Sequence, residues 1–182
     1  MHEVILHQGR DKPVRHRHPW IFSGAIARTS GDGEPTPGEI VRVCDSKREH
    51  LAWGYYNPNS QIAVRLLEWD ESIAIDDAWW ARKVRASVAR RQALLDDPET
   101  TACRLLYAES DGLPGLIVDR YGDFLVLQAL TAGIASRKPI LVETLNAALH
   151  PTGIYERSDT TTRELEGLPL STGALSGEVP PP

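Results

Sequence analysis

Apolar and polar positions alternate with a period of two through the first third of the chain, which is the signature of half-buried strands. Glu3-Val4-Ile5-Leu6-His7 reads as a short strand ended by Gly9. Lys12 to His18 is a polar, basic connection, and Pro19-Trp20-Ile21-Phe22-Ser23-Gly24 reads as a short helical turn closed by glycine. Thr29 to Gly38 holds three glycines and two prolines and reads as a loop. Glu39 to Asp45, Leu51 to Tyr56 and Gln61 to Trp69 are three further strands, separated by Ser46–Glu49 and by Asn57-Pro58-Asn59-Ser60. An all-β run of this length with one short helix suits a small barrel.

The period then changes. A helix capped by Asp76 or Asp77 runs to about Leu95, with Trp80, Val84, Val88 and Leu95 on one face. Cys103 to Tyr107 is a strand, and Leu116–Asp119, the turn Arg120-Tyr121-Gly122-Asp123 and Phe124–Leu130 form a hairpin. Ser136 to Leu149 is a second helix with Pro139 in its first turn, Gly153 to Arg157 is a strand, and the chain from Gly167 on reads as irregular. The pattern predicts a mixed α/β (α+β) chain: a small barrel over 1–70, an α+β unit over 71–170, and a linker over 171–182, where Pro180, Pro181 and Pro182 close the sequence.

Composition narrows the function classes. The 182 residues are 41% hydrophobic and 25% charged, which excludes disorder for most of the chain. No apolar run approaches the roughly 20 residues of a membrane span, and the N-terminus has no apolar signal core, so the expected location is the cytoplasm. The net charge of -5 excludes a globally basic protein. Residues 1–70 nevertheless carry nine Lys/Arg against nine Asp/Glu and five of the six histidines, while 71–182 carry eleven against sixteen. The first part is the one suited to face a polyanion.

The strongest candidate chemistry is the run Arg10, Lys12, Arg15, His16, Arg17, His18 with Trp20 behind it. Such cations neutralise phosphates and release counterions, and a helix N-terminus beside them can add backbone donors. A solvated basic loop is the alternative. Tyr55 and Tyr56 can stack on bases, though barrel packing explains them equally well. Arg82, Lys83, Arg85, Arg90 and Arg91 read as a solvated helix face. Glu109, Asp111 and Asp119 around Gly112-Leu113-Pro114-Gly115 are candidates for acid/base or metal chemistry, with a turn as the simpler reading. The polar cluster from Tyr155 to Asp159 with Arg163, Glu164 and Glu166 is either a docking surface or an ion-pair network. Cys44 and Cys103 stand alone and read as small buried thiols. No catalytic residue and no metal site are expected.

Three segments carry a resemblance: His18-Pro19-Trp20-Ile21-Phe22-Ser23-Gly24-Ala25, then Glu109 through Gly122, then Ile154-Tyr155-Glu156-Arg157-Ser158-Asp159. In this order they resemble the bacterial large-subunit ribosomal RNA cytosine-C5 methyltransferases, which use S-adenosylmethionine. The resemblance implies an RNA-binding PUA barrel, then a central α+β domain, then a Rossmann-like catalytic domain. The first two match this chain, and the third is expected to be absent, so that the chain is a truncated, non-catalytic portion that holds no cofactor itself. It further implies ribosomal RNA and the missing methyltransferase domain as partners, with a homodimer also open, and a stand-alone PUA-type RNA-binding or protein-interaction module is the alternative reading. Asp111, Arg120, Arg157, Asp159 and Arg163 become the candidates for domain docking, and neither Cys44 nor Cys103 inherits a nucleophile role.

Overall fold

The computed structural model describes residues 1–179, so the Pro180–Pro182 end of the linker expected over 171–182 lies outside the described residues. The first unit comprises β1 (Glu3–Leu6), α1 (Lys12–Arg15), β2 (Trp20–Ile21), β3 (Ile26–Ser30), β4 (Ile40–Cys44), β5 (His50–Tyr56) and β6 (Val64–Glu68). These strands form one six-stranded sheet in the order β2-β6-β5-β4-β1-β3. Its pairs are antiparallel except β1 with β4, which run parallel across the long connection between them. Val4, Leu6, Val14, Ile21, Val41, Val43, Val64 and Leu66 pack as its core, which is what the period-two alternation demands. Trp20–Ile21 is a strand rather than a helical turn, because it pairs with Arg65 and Val64 of β6. The turn follows it, as one 3-10 turn at Ser23–Ala25.

The second unit comprises α2 (Asp77–Arg90), α3 (Gln92–Leu95), β7 (Ala102–Tyr107), β8 (Leu116–Tyr121), β9 (Phe124–Ala129), α4 (Ala132–Ala135), α5 (Lys138–Leu149), β10 (Gly153–Ser158), α6 (Thr161–Glu164) and β11 (Ser171–Gly177). Asp76 caps α2, its side chain accepting from Trp79 N at 2.8 Å, a contact worth about 1 kcal/mol. The predicted helix to Leu95 breaks at Arg91, which leaves the helical region (φ -104°, ψ 10°). Its apolar stripe lands where expected: Trp80, Val84 and Val88 are buried. Together with Leu141 and Leu145 of α5 they cover one face of a five-stranded sheet in sequential order β7 to β11.

Two expectations are corrected here. The chain from Gly167 on is not all irregular, and the linker expected over 171–182 does not begin at 171, since Ser171–Gly177 pairs antiparallel with β10 as the edge strand. Nor is a Rossmann-like connection absent: β9 and β10 run parallel, joined by the crossover through α5, while the other three pairs of this sheet are antiparallel. That helical crossover is the connection from which Rossmann-like sheets are built.

The two units share apolar material. Tyr55 of β5 and Leu67 of β6 belong to the core cluster of the second unit. The Tyr55 ring lies so close to Gly133 that a Cβ there would sit 2.3 Å from it, so only glycine fits. Arg65 of β6 makes a 2.8 Å ion pair with Glu166, both side chains being nearly inaccessible. Asn57 Nδ2 donates to the carboxylate and to the main-chain carbonyl of the same glutamate, at 2.9 Å each.

Candidate nucleic-acid interface

Most of the basic run is exposed, on and around α1, but its cations are not equivalent. Arg15 is engaged by Asp11 at 2.6 Å and by Asp45 at 3.2 Å. The Arg15 guanidinium in turn holds the Asp11 carboxyl below the usual carboxylate range. Arg17 sits in the left-handed region (φ 64°), and its guanidinium lies 4.9 Å from the centre of the Trp69 ring. The Trp69 indole N–H donates to Val14 O at 2.9 Å, so this tryptophan pins the loop from below. Arg10, Lys12, His16 and His18 are exposed. The backbone donors expected from the N-terminus of a helical turn at Pro19–Gly24 are corrected: Trp20–Ile21 is strand β2, and only a three-residue 3-10 turn follows it at Ser23–Ala25.

Arg10, His18 and Trp20 converge on a concavity of about 460 Å³, which Val14, Ile21 and Phe22 also line. Its character is apolar, with Arg10 and His18 supplying the polar rim. Phe22 was not among the expected residues, yet it is half exposed and meets Trp20 edge to face at 6.5 Å. The aromatic residue directly after a strand, before Ser-Gly, was the available signal. Trp20 does not stand free: its indole N–H donates to Glu109 Oε1 of the second unit at 2.7 Å. Glu109 is thereby a seam residue.

Several other expectations are corrected. Tyr55 is buried, and its hydroxyl donates to Pro114 O at 2.7 Å and meets Thr131 Oγ1 at 2.9 Å, so it cannot stack on a base. Burial pushes its hydroxyl pKa up. Tyr56 is partly buried against the first core. Asp111 is no docking residue: its buried carboxylate accepts from Arg90 at 2.6 Å, from Arg91 at 2.6 Å and 2.9 Å, and from Tyr107 N at 2.7 Å. Burial alone would raise its pKa, but these donors, Arg91 foremost, hold it below the usual range. Arg163 is equally internal, donating to the main-chain carbonyls of Ala129 and Pro169. Arg91 thus leaves the expected solvated face to become structural, Arg90 stays exposed while pairing with Asp111, and Arg82 and Arg85 remain exposed.

Arg120 bonds its own turn through Gly122 O, and Arg157 and Asp159 form an exposed ion pair at 3.3 Å. These two line a second concavity of about 740 Å³ with Asp119, Tyr121, Phe124 and Tyr155. Asp119, far from acting as an acid or base, is held at both oxygens by Arg104 at 2.7 Å and 3.0 Å. Both carboxylates at this concavity, Asp119 and Asp159, are thus engaged by arginines. Cys44 is fully buried, and burial pushes its thiol pKa up despite Arg42 nearby. Among the described residues no His/Cys/Asp/Glu cluster could hold a metal, and no helix is long and apolar enough to cross a membrane.

Residues 4–69 match the family model described as a PUA-like domain. Over 178 residues the chain is 46% identical to the ribosomal RNA large subunit methyltransferase I of Photobacterium profundum, covering 98% of this chain and 45% of the relative. The protein of that name from Escherichia coli is 40% identical, with 98% and 44% covered. The chain thus spans about half the length of the curated relatives it matches. Among solved structures it superposes on a putative SAM-dependent methyltransferase from Streptococcus mutans with a TM-score of 0.80 at 16% identity, covering all of this chain and 44% of that one. A putative methyltransferase complexed with SAH gives the same figures. The likeness carries the fold, and it overturns the expectation that the methyltransferase fold is absent from this chain. It also leaves the expectation of a cofactor-free chain without support.

Proposed function

We propose that this chain is the RNA-gripping portion of a SAM-dependent methyltransferase acting on large-subunit ribosomal RNA at cytosine C5, working in the cytoplasm. The division into a PUA-like unit over 1–70 and a central unit over 71–170 is part of that reading. The observation that carries it is the convergence of Arg10, His18, Trp20 and Phe22 on one apolar concavity beside a basic loop. Arg10 and Lys12 serve as the phosphate contacts, because they are exposed and make no ion pair among the described residues, unlike Arg15. His16, Arg17 and His18 flank them, and Trp20 with Phe22 offers apolar surface to a nucleotide. Of the docking candidates, Arg120 keeps that role on this reading, while Arg157 and Asp159 form an exposed pair at the surface. Methyl transfer to cytosine C5 needs a cysteine thiolate, and S-adenosylmethionine supplies the methyl group when bound. Cys44 is unsuited to that task, since a buried, protonated thiol is a poor nucleophile.

A filter-binding titration of the chain with a large-subunit ribosomal RNA fragment, repeated across salt concentrations, tests this. Affinity should fall steeply with salt, and Arg10→Ala/Lys12→Ala should weaken binding and flatten the salt dependence by about one unit of slope per cation. Salt-insensitive binding unchanged by the pair would defeat the proposal.

A further inference from the structure

Among the described residues, α2 and α5 cover one face of the five-stranded sheet and no helix covers the other, which Val179 borders. Alternation along its strands sends Val118, Leu125, Leu127 and Ile154 into the core, and Asp119, Tyr121, Phe124, Val126, Gln128, Tyr155 and Arg157 to the other face, where they line one concavity. We infer that this open face is a stacking platform for the bases of single-stranded RNA, a site separate from the loop around Arg10. The inference rests on the reading that the chain works on RNA.

Tyr121 lies directly opposite Phe124 across β8 and β9, and Tyr155 lies opposite Val126 across β9 and β10. Neighbouring strands are about 4.8 Å apart, so the three rings fall within the reach of two or three nucleotides. Tyr121 is 55% exposed at the hairpin end, where its ring meets solvent. Gln128 offers both donor and acceptor to base edges. Neither carboxylate on the face is bare: Asp119 is held by Arg104 and Asp159 by Arg157. The face therefore presents no uncompensated negative charge to a polyanion. Arg157 engages Asp159 through Nε and one terminal nitrogen, so its other terminal nitrogen can meet a phosphate while the carboxylate stays paired. Thr160, at the same concavity, has a buried hydroxyl with no hydrogen-bond partner. The core of a protein–protein interface is depleted in charged residues. Here ion pairs interleave with the rings across the middle of the face, and rings among polar and basic groups are how sheets bind unpaired bases.

The test is fluorescence anisotropy of the chain with a fluorescein-labelled, unstructured RNA of about eight nucleotides. Tyr121→Ala/Phe124→Ala/Tyr155→Ala should weaken this binding by about tenfold or more, while Tyr121→Phe, which keeps the ring, should bind like the parent. If the triple variant binds as tightly as the parent, the platform is refuted while the function proposed for the loop stands. If the parent binds neither this RNA nor the ribosomal fragment, both fall. Should the triple variant fail to fold, ultraviolet cross-linking of the unaltered chain to the same RNA decides. Adducts at Tyr121, Phe124 or Tyr155 support the platform, and adducts confined to residues 10–22 overturn it. A parent dimer that the triple variant converts to monomer, with RNA affinity unchanged, would assign the face to a second copy of this chain instead.

Discussion

The loop around Arg10 and the seam between the two sheets are built from the same residue types, arginines beside aromatic rings on short strands, yet they end in opposite environments. In the loop, Trp20 and Phe22 stay partly exposed and Arg10 meets solvent. At the seam, Tyr55 and Arg65 vanish from the surface. The difference lies in what faces them. Tyr55 meets a glycine, a carbonyl and a hydroxyl that complete its hydrogen bonds, and Arg65 meets a carboxylate. The loop residues face fewer such partners, and a group without a partner remains in water because burying it unpaired costs several kcal/mol.

The contrast breaks most sharply at Glu166. Glu166→Ala leaves the Arg65 guanidinium inaccessible and unpaired and strips an acceptor from Asn57, so about 3–5 kcal/mol of stability should be lost in chemical denaturation. Arg10→Ala, removing the same charge type from the loop, should change the midpoint hardly at all. Equal losses would mean that the seam is no more cooperative than the surface.

Asp111 gives the next largest effect and a pH signature. Asp111→Asn should cost about 1–3 kcal/mol at neutral pH, because Arg90 and Arg91 lose their carboxylate. The folded-state pKa is depressed, so this contribution is complete above the unfolded value near 3.9 and is lost as pH falls through it toward the folded value. The gap between parent and variant should therefore close on acidification below about pH 4 in thermal melts. A gap that widened would contradict the assignment. Tyr55→Phe follows at about 1 kcal/mol, since it removes one hydrogen-bonding hydroxyl while Thr131 can still serve Pro114 O.

How much of this was legible depends on where the partner lies. The alternation of Ile40–Cys44 and Phe124–Ala129, and the stripe Trp80, Val84, Val88, are local patterns, and the elements formed where they pointed. Ser171–Gly177 has no such pattern of its own and becomes a strand only because β10 offers an edge. The same holds for the charges. Asp111 looked like a turn residue because its arginines lie about 20 positions upstream, on a helix that only the fold brings alongside. Tyr55 and Tyr56 were bound to point opposite ways, but nothing local said which of them meets Gly133. The basic run was legible as a run. The inequality of its members was not, because Asp45 and Trp69 reach it from other strands and loops.

The smallest effect on stability is therefore the sharpest on function. Lys12 is exposed and makes no ion pair among the described residues, so Lys12→Ala should shift the unfolding midpoint by less than about 0.5 kcal/mol. Yet its charge is free to displace a counterion from RNA, and its loss should lower the slope of log affinity against log salt by about one. Arg15→Ala is the matched control. Asp11 and Asp45 already neutralise that guanidinium, so its removal uncovers two carboxylates beside the loop. Their repulsion should weaken RNA binding by more than the single lost cation would, and most strongly at low salt, where screening is least. If Lys12→Ala and Arg15→Ala shift the salt slope by the same amount, the distinction between free and engaged cations fails, and the loop acts as an undifferentiated positive patch.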